Sequence, residues 1–345
     1  MSARESIIPV FVPHLGCPND CVFCNQRKIS GSAAPACAAD VDKAIKAAAA
    51  LPRTGAKRQL AFYGGSFTAI PVPQQTALLA AAKRHLDAGE IDALRLSTRP
   101  DAIDGAVLAR LREYGVETVE LGAQSMCDEV LALSGRGHTA ADVENASRMI
   151  RAAGFRLILQ MMTGLPGDTP ERCEDTARRI IGLEPDGVRI YPTVIVRGTA
   201  LYDLWRAGRY KEHTVEDAVE YCARIAPLFE SAGIPVIRLG LNPTEELSGG
   251  AAAGGAYHPA LGELVRSRIM RERAEALLAA ANIAPESAVT LGVDAARLSQ
   301  LIGQHRRNIA WLAARFQLKS LKIRPAALPN GEIAVLCRFV KHIVQ

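Results

Sequence analysis

Short apolar runs alternate with helical stretches along the first 240 residues, and this rhythm constrains the fold more than any other feature. Strands are expected at 7–12, 59–63, 93–97, 118–122, 156–161 and 187–191, with a seventh at 236–239. Helical patterns fill the intervals at 39–51, 73–88, 101–114, 140–153, 170–183 and 215–232. Thr139 stands as an N-cap before Ala140, and Thr169-Pro170 puts proline at a first helical position. Gly115 and Gly154 stand where two helices close. Strand then helix, repeated six or seven times, is the pattern of a parallel sheet. The reading is an α/β fold, a partial (β/α)6-type TIM barrel, with its chemistry at the C-terminal ends of the strands.

The loop after the first strand carries Cys17, Cys21 and Cys24 in a C-x3-C-x2-C spacing. Three thiolates on one loop can hold three irons of a cubane and leave the fourth open to an outside ligand. Ferredoxin spacings need a fourth cysteine. A closed zinc site also wants four ligands, and His14 is the residue that could complete a Cys3His set. Disulfides are rare in cytosolic proteins, and no apolar leader precedes the loop, so a cytoplasmic protein is expected. Cys37, Cys127, Cys173, Cys222 and Cys337 are scattered singly, in the manner of small buried hydrophobes.

At 345 residues and 49% apolar, the chain can build one large core and a small second domain. No stretch approaches the ~20 apolar residues of a membrane span. Charge is uneven. From residue 297 onward nine Lys or Arg face one acid, a net of +8 on a chain totalling +5, which leaves −3 for the first 296 residues. A basic end of this kind suits a polyanionic partner.

Further polar, glycine-rich segments follow the other strands. Gly64-Gly65-Ser66-Phe67 follows the second, where paired glycines let a ligand approach the backbone. Glu120 lies inside the apolar strand of Val119-Glu120-Leu121-Gly122-Ala123-Gln124-Ser125. A buried acid is costly unless bonded or paired, so Glu120 requires a cationic partner or a polar ligand. The Gly/Ala-rich stretch at 247–256 reads as a linker or a mobile lid, with linker the simpler reading.

Together the cysteine loop, the Gly-Gly-Ser-Phe turn, STRPD (97–101), VELGAQS (119–125), RGHT (136–139) and GLPGDT (164–169) resemble the radical SAM superfamily. The run YPTVIVRGTALYDLW (191–205) is similar to the radical SAM domain of the Elongator catalytic subunit, a family that modifies tRNA wobble uridine. The resemblance implies a [4Fe–4S] cluster on Cys17, Cys21 and Cys24. It further implies S-adenosylmethionine (SAM) on the open iron, cleaved to a 5′-deoxyadenosyl radical with an electron from an external donor such as flavodoxin or ferredoxin. By the same resemblance Phe23 fills the aromatic position of the loop, and Gly64, Gly65 and Ser66 lie against the methionyl amine. Glu120 would face the ribose, Gln124 and Arg136 the ribose or carboxylate, and Thr193 the adenine.

The departures narrow the reading. Elongator subunits carry a wider cysteine spacing and an acetyltransferase domain, and no acetyl-CoA signature follows the barrel here. Coproporphyrinogen oxidases have a further cysteine where Gln26 stands. Methylthiotransferases add an N-terminal cysteine set that this chain lacks.

Beyond the barrel the pattern is strand (288–291), helix (294–302), Gly303-Gln304-His305-Arg306, helix (307–316), strand (320–323), a turn at Pro329-Asn330-Gly331 and strand (333–336). This resembles a KH RNA-binding domain, whose Gly-x-x-Gly loop clamps a nucleic-acid backbone. Gly303, Gln304, His305, Arg306 and Arg307 would then face RNA, with Arg306 in place of the second glycine. The expected division is 1–240 barrel, 241–285 Gly/Ala-rich loop and connecting helix, and 286–345 basic KH-like domain. The expected function is a radical SAM enzyme modifying RNA, most simply tRNA, with Tyr257 and His258 as substrate-facing residues. The alternatives are a radical enzyme for a small metabolite and a non-catalytic RNA-binding protein with a metal-binding cysteine loop.

Overall fold

A parallel sheet must cover its strands, and the side chains sort onto two faces accordingly. A computed structural model of the chain describes residues 5–12, 17, 20–25, 36–52, 56–241, 247–329 and 331–339. His14, Gln26 and Asn330 lie outside the described residues. The strands of the first part are β1 (Glu5–Phe11), β2 (Lys57–Tyr63), β3 (Ala93–Thr98), β4 (Val116–Gln124), β5 (Arg156–Thr163), β6 (Gly187–Pro192), a short β7 (Val194–Val196) and β8 (Val236–Leu239). Seven of them pair in parallel in the order β1-β2-β3-β4-β5-β6-β8, the half-barrel expected from the alternating pattern.

One face is apolar. Leu60, Phe62, Leu94, Leu96, Val119, Leu121, Leu157, Leu159, Val188 and Ile190 share it by register and are all wholly buried. At about 1.5–3 kcal/mol per large apolar side chain removed from water, this layer dominates the stability of the sheet. The opposite face carries Gln59, Tyr63, Arg95, Thr118, Glu120, Gln160 and Arg189 among smaller and apolar residues such as Ala61 and Ile158.

The helix expected at 101–114 begins later, at Gly105–Glu113, because Asp104 caps it by accepting from the Val107 N–H at 2.7 Å. A single turn, Pro100–Ala102, precedes it. Helices Asp128–Leu133 and Ala200–Arg206 were not legible, being too short for a periodic apolar stripe. The linker reading of 247–256 is corrected. Ala252–Gly255 forms β9, antiparallel to β7, with Arg197 N–H bonded to the Ala251 carbonyl and Ala256 N–H to the Thr193 carbonyl, both at 3.0 Å. Small-residue composition suggested slack where strand hydrogen bonds fix the backbone.

The chain divides into two compact units, Met1–Ala218 with Ile225–Tyr257, and Val219–Arg224 with His258–Gln345. The second unit has a three-stranded sheet in the order β11-β10-β12, from β10 (Ala288–Val293), β11 (Ser320–Pro325) and β12 (Ile333–Phe339). The central β10 runs parallel to β11 and antiparallel to β12. Helix Leu261–Ala280, expected as a connector, contributes Met270, Ala274 and Leu278 to this unit's core, beside Val289, Leu291, Leu301, Leu312 and Leu321. Among the described residues no helix is long and apolar enough to cross a membrane.

Candidate active site

The cysteine loop follows β1. Cys24 N–H bonds to the Cys21 carbonyl at 2.9 Å, closing a tight turn. Three further bonds pin that turn: Val22 N–H to the Ser134 carbonyl (3.1 Å), Leu201 N–H to the Val22 carbonyl (2.7 Å) and Asn25 Nδ2 to the Gly198 carbonyl (3.3 Å). Phe23 packs with Val130, Met162, Leu165 and Tyr191 at the ends of β5 and β6. The loop therefore lies at the C-terminal edge of the sheet.

Cys17 is exposed, Cys21 buried and Cys24 half-buried. Among the described residues no three His, Cys, Asp or Glu side chains gather as a metal site. The donor chemistry nevertheless suits an iron–sulfur cluster. Arg136 Nη1 donates to Cys21 Sγ at 3.3 Å, the kind of cationic N–H···S contact that thiolate ligands to iron accept. Cys17 Sγ lies 3.5 Å from Ser66 Oγ, which joins the loop to the Gly-Gly-Ser turn. Gly64 has φ +103°, a conformation open to glycine alone. Ser66 is buried. Phe23 thus comes from the loop after β1, and Gly64, Gly65 and Ser66 from the end of β2, at the same edge of the sheet.

At the end of β4 the backbone is strained. Gln124 is left-handed, with φ +65°, and the β4–β5 register shifts between Gly122 and Gln124. Such a residue costs of order 1 kcal/mol or more, and strain of this kind concentrates at functional sites. Gln160 Nε2 donates to Gln124 Oε1 at 3.2 Å, and Arg136 Nη2 donates to the Gly122 carbonyl at 2.8 Å. Arg99, almost wholly buried, holds the Arg136 carbonyl at 2.6 Å. His138 Nε2 bonds the Ala123 carbonyl at 3.1 Å, and burial, reinforced by the Arg136 charge, pushes its imidazole down to about 4.

Glu120 is 3% exposed and has cationic partners. Its Oε1 accepts from Tyr63 Oη (2.8 Å), Arg95 Nη1 (3.1 Å) and Arg189 Nη2 (3.2 Å), while Oε2 lies 2.8 Å from Arg189 Nε. Arg95 also donates to Gln59 and Glu5, each at 2.8 Å. Burial and the Glu120 charge drive the Tyr63 phenol far up, so it stays a donor. Burial opposes the Arg189 charge, yet Glu120 beside it holds the guanidinium firmly protonated. Of the two options the sequence left for Glu120, the cationic partner is present. Arg95, Arg189 and Tyr63 were missed, although Arg95 and Arg189 show the same signal as Glu120, a charge inside an apolar strand.

Thr193 is buried, and its Oγ1 donates to the Thr163 carbonyl at 2.8 Å. Tyr257 packs beside Val194, Val196, Ala251 and Ala252 in the first unit. His258 belongs to the second unit, where its Nδ1 accepts from the Ala260 N–H at 3.1 Å, just ahead of helix Leu261–Ala280. In the same unit Gly303, His305 and Arg306 have φ +75°, +51° and +61°. Gln304, His305, Arg306 and Arg307 are all exposed. Asn308, buried behind this turn, donates to the carbonyls of Ser267 (2.9 Å) and Gln300 (3.1 Å).

The family model of the radical SAM superfamily matches residues 11–180, and that of the radical SAM C-terminal domain matches 185–271. Elongator complex protein 3 of Homo sapiens is 36% identical over 138 residues, 39% of this chain and 25% of that protein. The tRNA uridine(34) acetyltransferase of Methanocaldococcus jannaschii is 33% identical over 141 residues, 39% of this chain and 26% of that protein. The match thus spans about a quarter of the length of these curated relatives. Among solved structures, the archaeal Methanocaldococcus infernus Elp3 with an N-terminal deletion superposes with a TM-score of 0.59 at 22% identity, covering 83% of this chain and 71% of that one. That likeness is one of fold.

Proposed function

The chain belongs to the radical SAM superfamily, and from that premise we propose that it is a radical enzyme of RNA modification, acting on a tRNA base. The family implies a [4Fe–4S] cluster and SAM, for which Cys17, Cys21 and Cys24 supply the three thiolates. When bound, the cluster supplies the one electron that reductively cleaves SAM. Ser66, Gln124 and Arg136, at the ends of β2, β4 and the following turn, would orient SAM. Phe23, Met162 and Tyr191 line that end with apolar surface that excludes water.

The observation that carries the RNA reading is the left-handed turn Gly303–Arg306. Arg306 takes a backbone conformation ordinarily left to glycine, so the exchange keeps the turn and adds a cation. Exposed Arg306 and Arg307 begin helix Arg307–Arg315, whose N–H groups and dipole favour an anion. They lie in the segment of net +8. The names of the relatives, a tRNA uridine(34) acetyltransferase among them, support tRNA as the RNA in question.

The test is nucleoside mass spectrometry of tRNA from cells lacking the protein. A modified nucleoside is expected to disappear, to return with the parent gene, and to stay absent with Cys24→Ala. An unchanged nucleoside set contradicts the reading.

A further inference from the structure

The polar face of the half-barrel holds a further arginine, Arg238, that the site described above does not use. Arg189 on β6 pairs in register with Arg238 on β8, and parallel register partners share a face. The register shifts at this point. Val188 pairs with Val236, so a regular ladder would set Ile237 beside Arg189. Ile237 is instead the extra residue, left 42% exposed, and Arg238 takes the inner position. A bulge that exposes an isoleucine and re-aims a cation is a costly local choice, and such irregularities recur beside active sites.

Among the described residues the acids on this face are already taken. Glu120 has both oxygens engaged by Tyr63, Arg95 and Arg189. Glu5 is shared between Arg95 and Arg156. Half-buried Arg238 donates from Nε to the Gly240 carbonyl at 3.1 Å and makes no ion pair among the described residues. Glu120 already answers Arg189, so Arg238 is the cation on the neighbouring strand for which the described residues supply no carboxylate. Tyr191, whose hydroxyl lies 3.4 Å from Arg189 Nη1, adds a hydroxyl on the same strand.

We propose that Arg189 and Arg238 form an oxyanion subsite on the polar face of the half-barrel, and that the group it takes is a phosphate of the nucleotide being modified. The oxyanion follows from the two arginines. Its being a phosphate rests on the RNA reading above, since a small metabolite would offer a carboxylate to the same pair.

The test uses the full chain carrying Arg306→Glu and Arg307→Glu, so that the turn in the second unit does not contribute. Calorimetric titration with uridine 5′-monophosphate, inorganic phosphate and acetate is compared with and without Arg238→Gln. Phosphate and the nucleotide are expected to bind, and Arg238→Gln to weaken both roughly ten-fold or more, with Arg238→Lys recovering part of the loss. Equal affinities in parent and Arg238→Gln, or no anion bound at millimolar concentration, overturn the subsite. A preference for acetate that Arg238→Gln abolishes keeps the subsite and overturns the phosphate, while the RNA reading stands or falls on the nucleoside analysis above. An equal loss of SAM affinity in reconstituted Arg238→Gln assigns the pair to SAM's own carboxylate and overturns the substrate role.

Discussion

Arg136 reaches Cys21 Sγ with Nη1 at 3.3 Å while its Nη2 holds the Gly122 carbonyl at 2.8 Å. One guanidinium thereby joins the cysteine loop to the strained end of β4. A cationic donor on a ligand sulfur stabilises the more negative, reduced cluster. Arg136→Gln is expected to lower the cluster potential. A charge-assisted hydrogen bond of about 1.5–3 kcal/mol sets an upper bound of about 130 mV for a one-electron couple. Redox titration followed by electron paramagnetic resonance checks this, and an unchanged potential contradicts it.

Glu120 is the anion that two buried arginines share. Glu120→Gln is expected to destabilise the apoprotein by about 3–5 kcal/mol, because it leaves buried charge uncompensated. Urea unfolding of parent and variant measures the loss. A difference below about 0.5 kcal/mol would mean that the arginines find another partner.

His138 and His213 are both pushed down to about 4, chiefly by burial. Their folded values lie below the unfolded value near 6.5, so the fold favours the neutral rings. The stability they confer is complete above pH 6.5 and is lost as pH falls from there toward 4, by up to about 3 kcal/mol for each ring. Asp168, raised by burial, works in the opposite sense at lower pH. Comparing the parent with His138→Gln isolates one ring: the variant is expected to lose less stability between pH 7 and 5. Parallel curves would refute this.

Gly164 has φ +75°, and a Cβ there would sit 2.1 Å from His213 Cγ. His213 is itself buried, with Nε2 3.1 Å from Thr163 Oγ1, and cannot yield freely. Gly164→Ala is therefore expected to cost at least about 2 kcal/mol, from combined backbone strain and overpacking. Thermal unfolding of the variant at parental temperature would show that the ring moves aside.

Much of this molecule was legible in the chain. The β-strand and helix alternation gave the half-barrel because apolar runs and helix caps are local signals. The polar inner face was only half legible. Glu120 stood out as an acid in a strand, yet its partners come from β2, β3 and β6, and only register brings them together. The strain at Gln124 has no signature in residue type, since glutamine is ordinarily extended there. The Gly/Ala stretch misled for the converse reason: its composition is that of a linker, and its pairing with β7 is a tertiary event. The left-handed backbone of Arg306 was not legible either, because arginine does not ordinarily take that conformation.

The central claim, a radical SAM enzyme acting on RNA, is tested most directly by 5′-deoxyadenosine release. The anaerobically reconstituted protein is given SAM, dithionite and tRNA from cells lacking the protein. Release is expected to rise when this tRNA is added and to vanish in Cys24→Ala. Release that is indifferent to tRNA, or retained in Cys24→Ala, would contradict the account.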